Sequence, residues 1–166
     1  MLKSGFTLIE LLVVITIIAI LATFSVIALN PTEITKKARD ARRISDLTQL
    51  KQAIYLSLAE NGDILRDFGN SITDTRLSDG TGYVKINISK NMPLLPIPGK
   101  NGQTISNSNG NLSIDAYYFQ AVTGTLRYEL KTTFESKEFQ DKLVTDGGNE
   151  SEYYEIGSDL TFTLPE

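Results

Sequence analysis

Polar and apolar residues are sharply segregated along this chain. From Phe6 to Leu29 the sequence is apolar on every side of a helix, with a single carboxylate, Glu10, and no Gly, Pro, Lys or Arg. As a helix it would reach about 36 Å at 1.5 Å per residue, against a bilayer hydrocarbon core of about 30 Å. That pattern predicts a membrane-inserted helix rather than a buried soluble one. Asn30-Pro31 interrupts the run. Beyond it, Ile34, Ala38, Ala41, Ile44 or Ser45, Leu47 or Thr48, Lys51, Ile54 and Leu58 recur at three or four and are mostly apolar, widened by Leu50, Ala53 and Leu56. This spacing predicts a second, amphipathic helix over 30–60, its apolar stripe laid on a globular head and its charged face turned elsewhere. Asn61-Gly62 is a good stop signal for it.

The period then changes. Residues 61 to about 111 are rich in Gly, Asn, Ser, Asp, Thr and Pro, with one alternating stretch, Tyr83–Ile88, that predicts a strand. Ala116–Val122 and Thr125–Phe134 flank Thr123-Gly124 and predict a β-hairpin. On its second strand Arg127, Glu129 and Lys131 share one face, while Leu126, Tyr128, Leu130 and Thr132 share the other. That predicts a half-buried antiparallel strand with its charges in water. Residues 153–164 predict a last strand, bent at Gly157. The class is α+β: a long helix across a small antiparallel sheet.

Composition narrows the chemistry. The chain has no Cys and no His, which removes disulfides, thiol nucleophiles, Cys-based zinc sites and the commonest acid–base side chain. With no phosphate-binding Gly-rich loop and no clear catalytic carboxylate pair, an enzyme is not expected. Within a formal charge of −4, residues 30–60 are net basic and residues 61–166 net acidic. Glu10 is the unusual residue. A charge at the centre of a spanning helix costs roughly 2.5–3.5 kcal/mol, less near an end, so its presence asks for a function. An ordinary secretory signal would explain Lys3 and a cut after Val26-Ile27-Ala28, but neither the length of the apolar run nor Glu10.

Lys3-Ser4-Gly5-Phe6-Thr7-Leu8-Ile9-Glu10-Leu11-Leu12-Val13-Val14-Ile15 resembles the class III signal of bacterial type IV pilins and pseudopilins. The resemblance covers about the first 25 residues. It implies a leader of residues 1–5 that a prepilin peptidase removes between Gly5 and Phe6 on the cytoplasmic side, followed by N-methylation of Phe6. It implies a transmembrane and filament-core helix over 6–29, a stalk helix over 30–60 and a soluble head over 61–166. The family's partners would be further copies of the chain in a helical filament, the assembly platform with its ATPase, and the membrane. The precursor would sit in the inner membrane with its head outside, and the product in an extracellular pilus or a periplasmic pseudopilus. No direct nucleic-acid binding is evident. Cleavage before Phe6 would create an α-amine with a reference pKa near 8, one helical turn from Glu10. The two charges would neutralise each other within one chain or between chains, which makes Glu10 an assembly determinant.

Two features sit less easily. Lys36, Lys37, Arg39, Arg42 and Arg43 flank the apolar run on the side that the family places outside, against the positive-inside tendency. They would pair with acidic groups of neighbouring subunits, lie on anionic headgroups, or form a solvated face. The loop containing Asp146, Asn149 and Glu152 offers oxygen ligands of the kind Ca²⁺ takes, but its spacing matches no EF-hand, and an ordinary turn is the stronger reading. Among functions, a pilin subunit leads. A pseudopilin of a type II secretion system is the alternative, and a membrane-anchored or secreted binding domain that does not assemble is a third.

Overall fold

The computed structural model describes residues 5–61, 67–107 and 109–165. The first four leader residues, and Gly62 of the expected helix stop, lie outside them. The chain forms two compact units, Met1–Thr35 and Lys36–Glu166.

In the first unit, α1 runs Leu8–Leu29. Its window Leu8–Ser25 is long and apolar enough to cross a membrane, and none of it is buried by the rest of the chain. The hydroxyls of Thr16, Thr23 and Ser25 turn back onto carbonyls of the preceding turn, so these polar groups are satisfied inside the helix. Asn30 ends α1 in the left-handed conformation, at φ 42°. Pro31 then opens α2 (Pro31–Asn61), at the position where its missing N–H costs nothing.

In the second unit, the sheet has the order β1-β4-β5-β6, all antiparallel, from Gly69–Asn70, Tyr118–Ala121, Tyr128–Thr132 and Tyr154–Gly157. A separate hairpin joins β2 (Thr104–Ser106) to β3 (Leu112–Ile114), and a single turn, α3, covers Lys142–Thr145. Leu47, Leu50, Ala53 and Ile54 of α2 share one apolar core with Phe119, Tyr128 and Leu130 of the sheet. The rings of Phe119 and Tyr128 stack with centroids 6.4 Å apart. Tyr83, Val84, Ile86, Ile88 and Leu95, from the long connection, complete it.

Five sequence expectations need correction. The apolar stripe of α2 holds at Leu47, Leu50, Ala53 and Ile54, but Leu56 is exposed, and upstream the buried positions are Asp40 and Arg43, while Ile34, Ala38 and Ala41 are exposed. Tyr83–Ile88 is no strand. Its alternation reports burial, and its backbone makes no ladder: Tyr83 N–H bonds the Thr75 carbonyl, and Ile88 N–H bonds that of Ser78 in an isolated antiparallel bridge of Asp79 with Asn87. The hairpin turns at Thr123-Gly124, where Thr125 N–H reaches the Val122 carbonyl at 3.1 Å, but its ladder begins at Ala121–Tyr128. Lastly, β5 is buried on both faces, Glu129 and Lys131 included. The expected last strand stops at Gly157, and the chain then leaves the sheet. Residues 159–165 cross the outer face of β4 and β5 as an irregular strap, which is what covers those charges.

Gly157 marks the departure for a steric reason. A Cβ there would overlap the Tyr128 carbonyl oxygen and Glu129 Cα, both backbone atoms of β5.

Candidate assembly site at the start of the first helix

Helix α1 begins with four N–H groups that lack helical partners. Thr7 is its N-cap, and with Glu10 it forms a reciprocal capping box. The Thr7 backbone N–H and hydroxyl both donate to Glu10 Oε2 at 2.8 Å, and Glu10 N–H donates to Thr7 Oγ1 at 3.3 Å. The carboxylate thus sits at the positive end of the helix dipole with two donors on one oxygen. Phe6, Ile9, Glu10, Val13 and Val14 line an open hollow of about 300 Å³ on this helix. Phe6 is 84% exposed, and no atom beyond its chain neighbours comes within 4 Å of a Cβ built on Gly5. Over the described window Leu8–Ser25 the large apolar side chains are uncovered.

In the uncleaved chain Glu10 is held by Thr7, as the Thr-x-x-Glu spacing of a capping box allows.

The basic stretch on α2 finds its partners inside the head. Arg43 is buried among three carboxylates: Nε donates to Asp115 Oδ1 at 3.0 Å, Nη2 to Glu135 Oε1 at 2.8 Å, and Nη1 to Asp40. Arg39 grips Glu135 with two parallel bonds of 2.8 Å, and Lys100 adds a third cation at 3.1 Å. Asp40 also accepts the N–H groups of Glu135 and Ser136, so it fixes the loop after β5 to the helix. Burial pushes the Glu135 carboxyl up, but the hydrogen bonds from Arg39, Arg43 and Lys100 outweigh it and bring it down to about 2. Lys37 pairs with Glu138, and Arg42 lies 3.7 Å from Asp46. A wholly solvated or lipid-bound face is therefore corrected for Arg39 and Arg43. No sequence pattern marked Asp115 and Glu135, because they lie more than seventy residues away from Arg43 in the chain.

The acidic loop is a turn. Asp146 accepts Gly148 N–H at 2.9 Å and Glu155 N–H at 2.7 Å. Asn149 donates to the Thr161 carbonyl, and Glu152 accepts from Asn111. The three residues are each engaged elsewhere, and among the described residues no cluster of three or more metal-ligating side chains is formed.

The first 26 residues carry a prepilin-type motif: they match the family model described as the prokaryotic N-terminal methylation motif. Two curated relatives, each called fimbrial protein and each from Pseudomonas aeruginosa, are 29% identical to this chain over 96 residues. The match covers 54% of this chain and 61% of each relative, so the chain spans less than two thirds of their length. No solved structure matches it.

Proposed function

We propose that this chain is the structural subunit of a type IV pilus-like filament. The observation that carries the reading is an uncovered apolar helix, α1, whose one charged side chain, Glu10, sits in its first turn behind the Gly5–Phe6 junction. In this reading prepilin peptidase removes residues 1–5 and Phe6 is N-methylated. Residues 6–29 hold the precursor in the inner membrane and later fill the filament core, residues 30–60 form the stalk, and residues 61–166 form the head outside. Copies of the chain, the assembly platform and its ATPase are the partners. Glu10 guides docking: Thr7 holds it in the free chain, and the new amine of an adjoining subunit competes for it on assembly. The relatives' name, fimbrial protein, favours a pilin over a pseudopilin.

The test is the mature N-terminus, read by intact mass and terminal fragmentation on protein from its native membrane. A chain starting at methylated Phe6 is expected. A chain still starting at Met1, or cut near Leu29, would overturn the reading.

A further inference from the structure

The outer face of the sheet carries an ionic cluster that the filament reading does not use. The side chains of Lys131, Glu129 and Glu155 are fully buried. The Lys131 ammonium lies 2.8 Å from Glu155, 2.6 Å from Glu150 and 3.6 Å from Glu129. It also donates to the Phe162 carbonyl of the strap. Phe162 N–H returns to Glu129 Oε2 at 3.2 Å, and Leu164 N–H reaches Glu150 Oε1 at 3.3 Å. Gln120 holds the Thr163 carbonyl at 2.7 Å. Leu160, Phe162 and Leu164 are only half-buried, so polar bonds to this cluster carry much of what keeps residues 159–165 in place.

One ammonium among three carboxylates leaves uncompensated negative charge in a dry site, which is costly unless one carboxyl keeps its proton. Glu129 and Glu155 are diagonal neighbours on one face of the β5–β6 pair and both adjoin the Lys131 ammonium, and two ionised carboxylates have no donor between them. Neither Glu129 Oε1 nor Glu155 Oε1 accepts a hydrogen bond, so a proton carried by one of the two would supply the donor that the pair lacks. Burial first, and then the adjoining Glu155 carboxyl, pushes the Glu129 carboxyl up to about 9 against the pull of Lys131. The other ionisable groups near the pair are Glu150, Tyr153 and Asp146, the last accepting Glu155 N–H, together with Lys51 of α2, Lys142 of α3 and Tyr154 of β6, which line one hollow with Glu155. The strap itself brings only Asp159, which is paired with Arg127.

We propose that Glu129 and Glu155, with Lys131 and Glu150, form a proton-held latch that keeps the strap closed over the sheet, and that opening the strap releases the shared proton. The cluster then couples exposure of the outer face of β4 and β5 to pH. Opening is rare in mild acid and grows about tenfold per pH unit through the neutral range, levelling off near pH 9, as linkage to one proton requires. The inference concerns the head alone and stands whether or not the chain forms filaments.

The test is hydrogen–deuterium exchange of the full chain in lipid nanodiscs, from pH 6 to pH 9, after correction for intrinsic exchange rates. Protection at Phe162 and Leu164 is expected to fall roughly tenfold per unit while amides of Leu47–Ile54 stay constant. Glu129→Gln, a neutral isostere of the protonated acid, should abolish that slope and keep the strap closed at pH 9. Glu155→Gln, which removes the other half of the pair, should flatten it. If strap protection in the unmodified protein varies no more with pH than that of α2, or if E129Q keeps the slope, the latch is wrong. The unmodified protein alone decides the first point even if a variant fails to fold.

Discussion

Replacing Arg43 by Met isolates what a buried cation does for the head. Met preserves most of the unbranched stem and removes the guanidinium, so packing changes little while three carboxylates lose a partner. They are not equally stranded. Glu135 keeps Arg39 and Lys100, and Asp40 keeps the N–H groups of Glu135 and Ser136 and the Ser136 hydroxyl. Asp115, fully buried, keeps chiefly the Lys100 N–H at 2.9 Å. Removing one member of a buried ion pair typically costs about 3–5 kcal/mol, because the remaining charge is left without compensation. With Arg43 only 1% exposed, a loss of about 4 kcal/mol is expected. At this size that is a fall in Tm of roughly 10–20 °C. The assay is urea unfolding of the full chain in non-denaturing detergent, followed by near-ultraviolet circular dichroism of its seven tyrosines. R43M combined with Asp115→Asn should recover part of the loss, because the charge left stranded is then gone. The acid limb should move too. Glu135, held down at about 2, stabilises the fold fully above its unfolded value near 4.5 and loses that contribution as pH falls toward 2. Without Arg43 its pKa rises, so R43M should begin to unfold at a higher pH than the parent. A loss below about 1 kcal/mol, with an unmoved acid limb, would refute the account of the hub as charge compensation.

Two further outcomes are expected. Glu10→Val should leave processing and the head's circular dichroism unchanged while filament yield collapses and membrane-held subunit accumulates; normal filaments on electron micrographs would remove Glu10 from assembly. Gly157→Ala should cost about 1–3 kcal/mol in the same unfolding assay, since the added Cβ meets β5 backbone that no side-chain rotation can relieve; an unchanged midpoint would mean that β6 can shift freely.

The N-terminal third was legible because its signals are local. The apolar run, Glu10, the Asn30-Pro31 break and the Leu47–Ile54 stripe each follow from a few neighbouring residues. The Thr123-Gly124 turn was local as well, which is why its position held while the ladder length did not. Illegibility began where partners are distant. The charges on β5 alternate as on a solvated strand, and only the strap, some thirty residues further on, turns that face inward. Arg39 and Arg43 read as surface basics because Glu135 is more than ninety residues away. In Tyr83–Ile88 the alternation of burial was real, but period two marks which side chains go in, and the backbone was free to bond outside any ladder.

Both misread charge clusters follow from one compositional fact. A head of this size with no cysteine has no covalent staple to hold long irregular segments such as 71–103 and 133–153. Apolar burial fixes the middle of α2 to the sheet and draws Tyr83, Val84, Ile86, Ile88 and Leu95 of the first segment into the core, but the segments that carry Asp115 and Glu135, and the strap, are tied by polar bonds. Directional bonds to a buried cation can tie several backbone segments at once, because a guanidinium presents five donors in a fixed fork and an ammonium three. Arg43 joins α2 to the segment before β4 and to the segment after β5; Lys131 joins β5, β6, the loop before it and the strap. A staple of this kind differs from a disulfide in being titratable. Its strength depends on which carboxyls hold protons, so the head of this chain should be tightest in mild acid, where Glu135 is fully ionised and the Glu129 proton has not begun to be lost on opening. Any condition that tests its outer surface should therefore be read together with its pH.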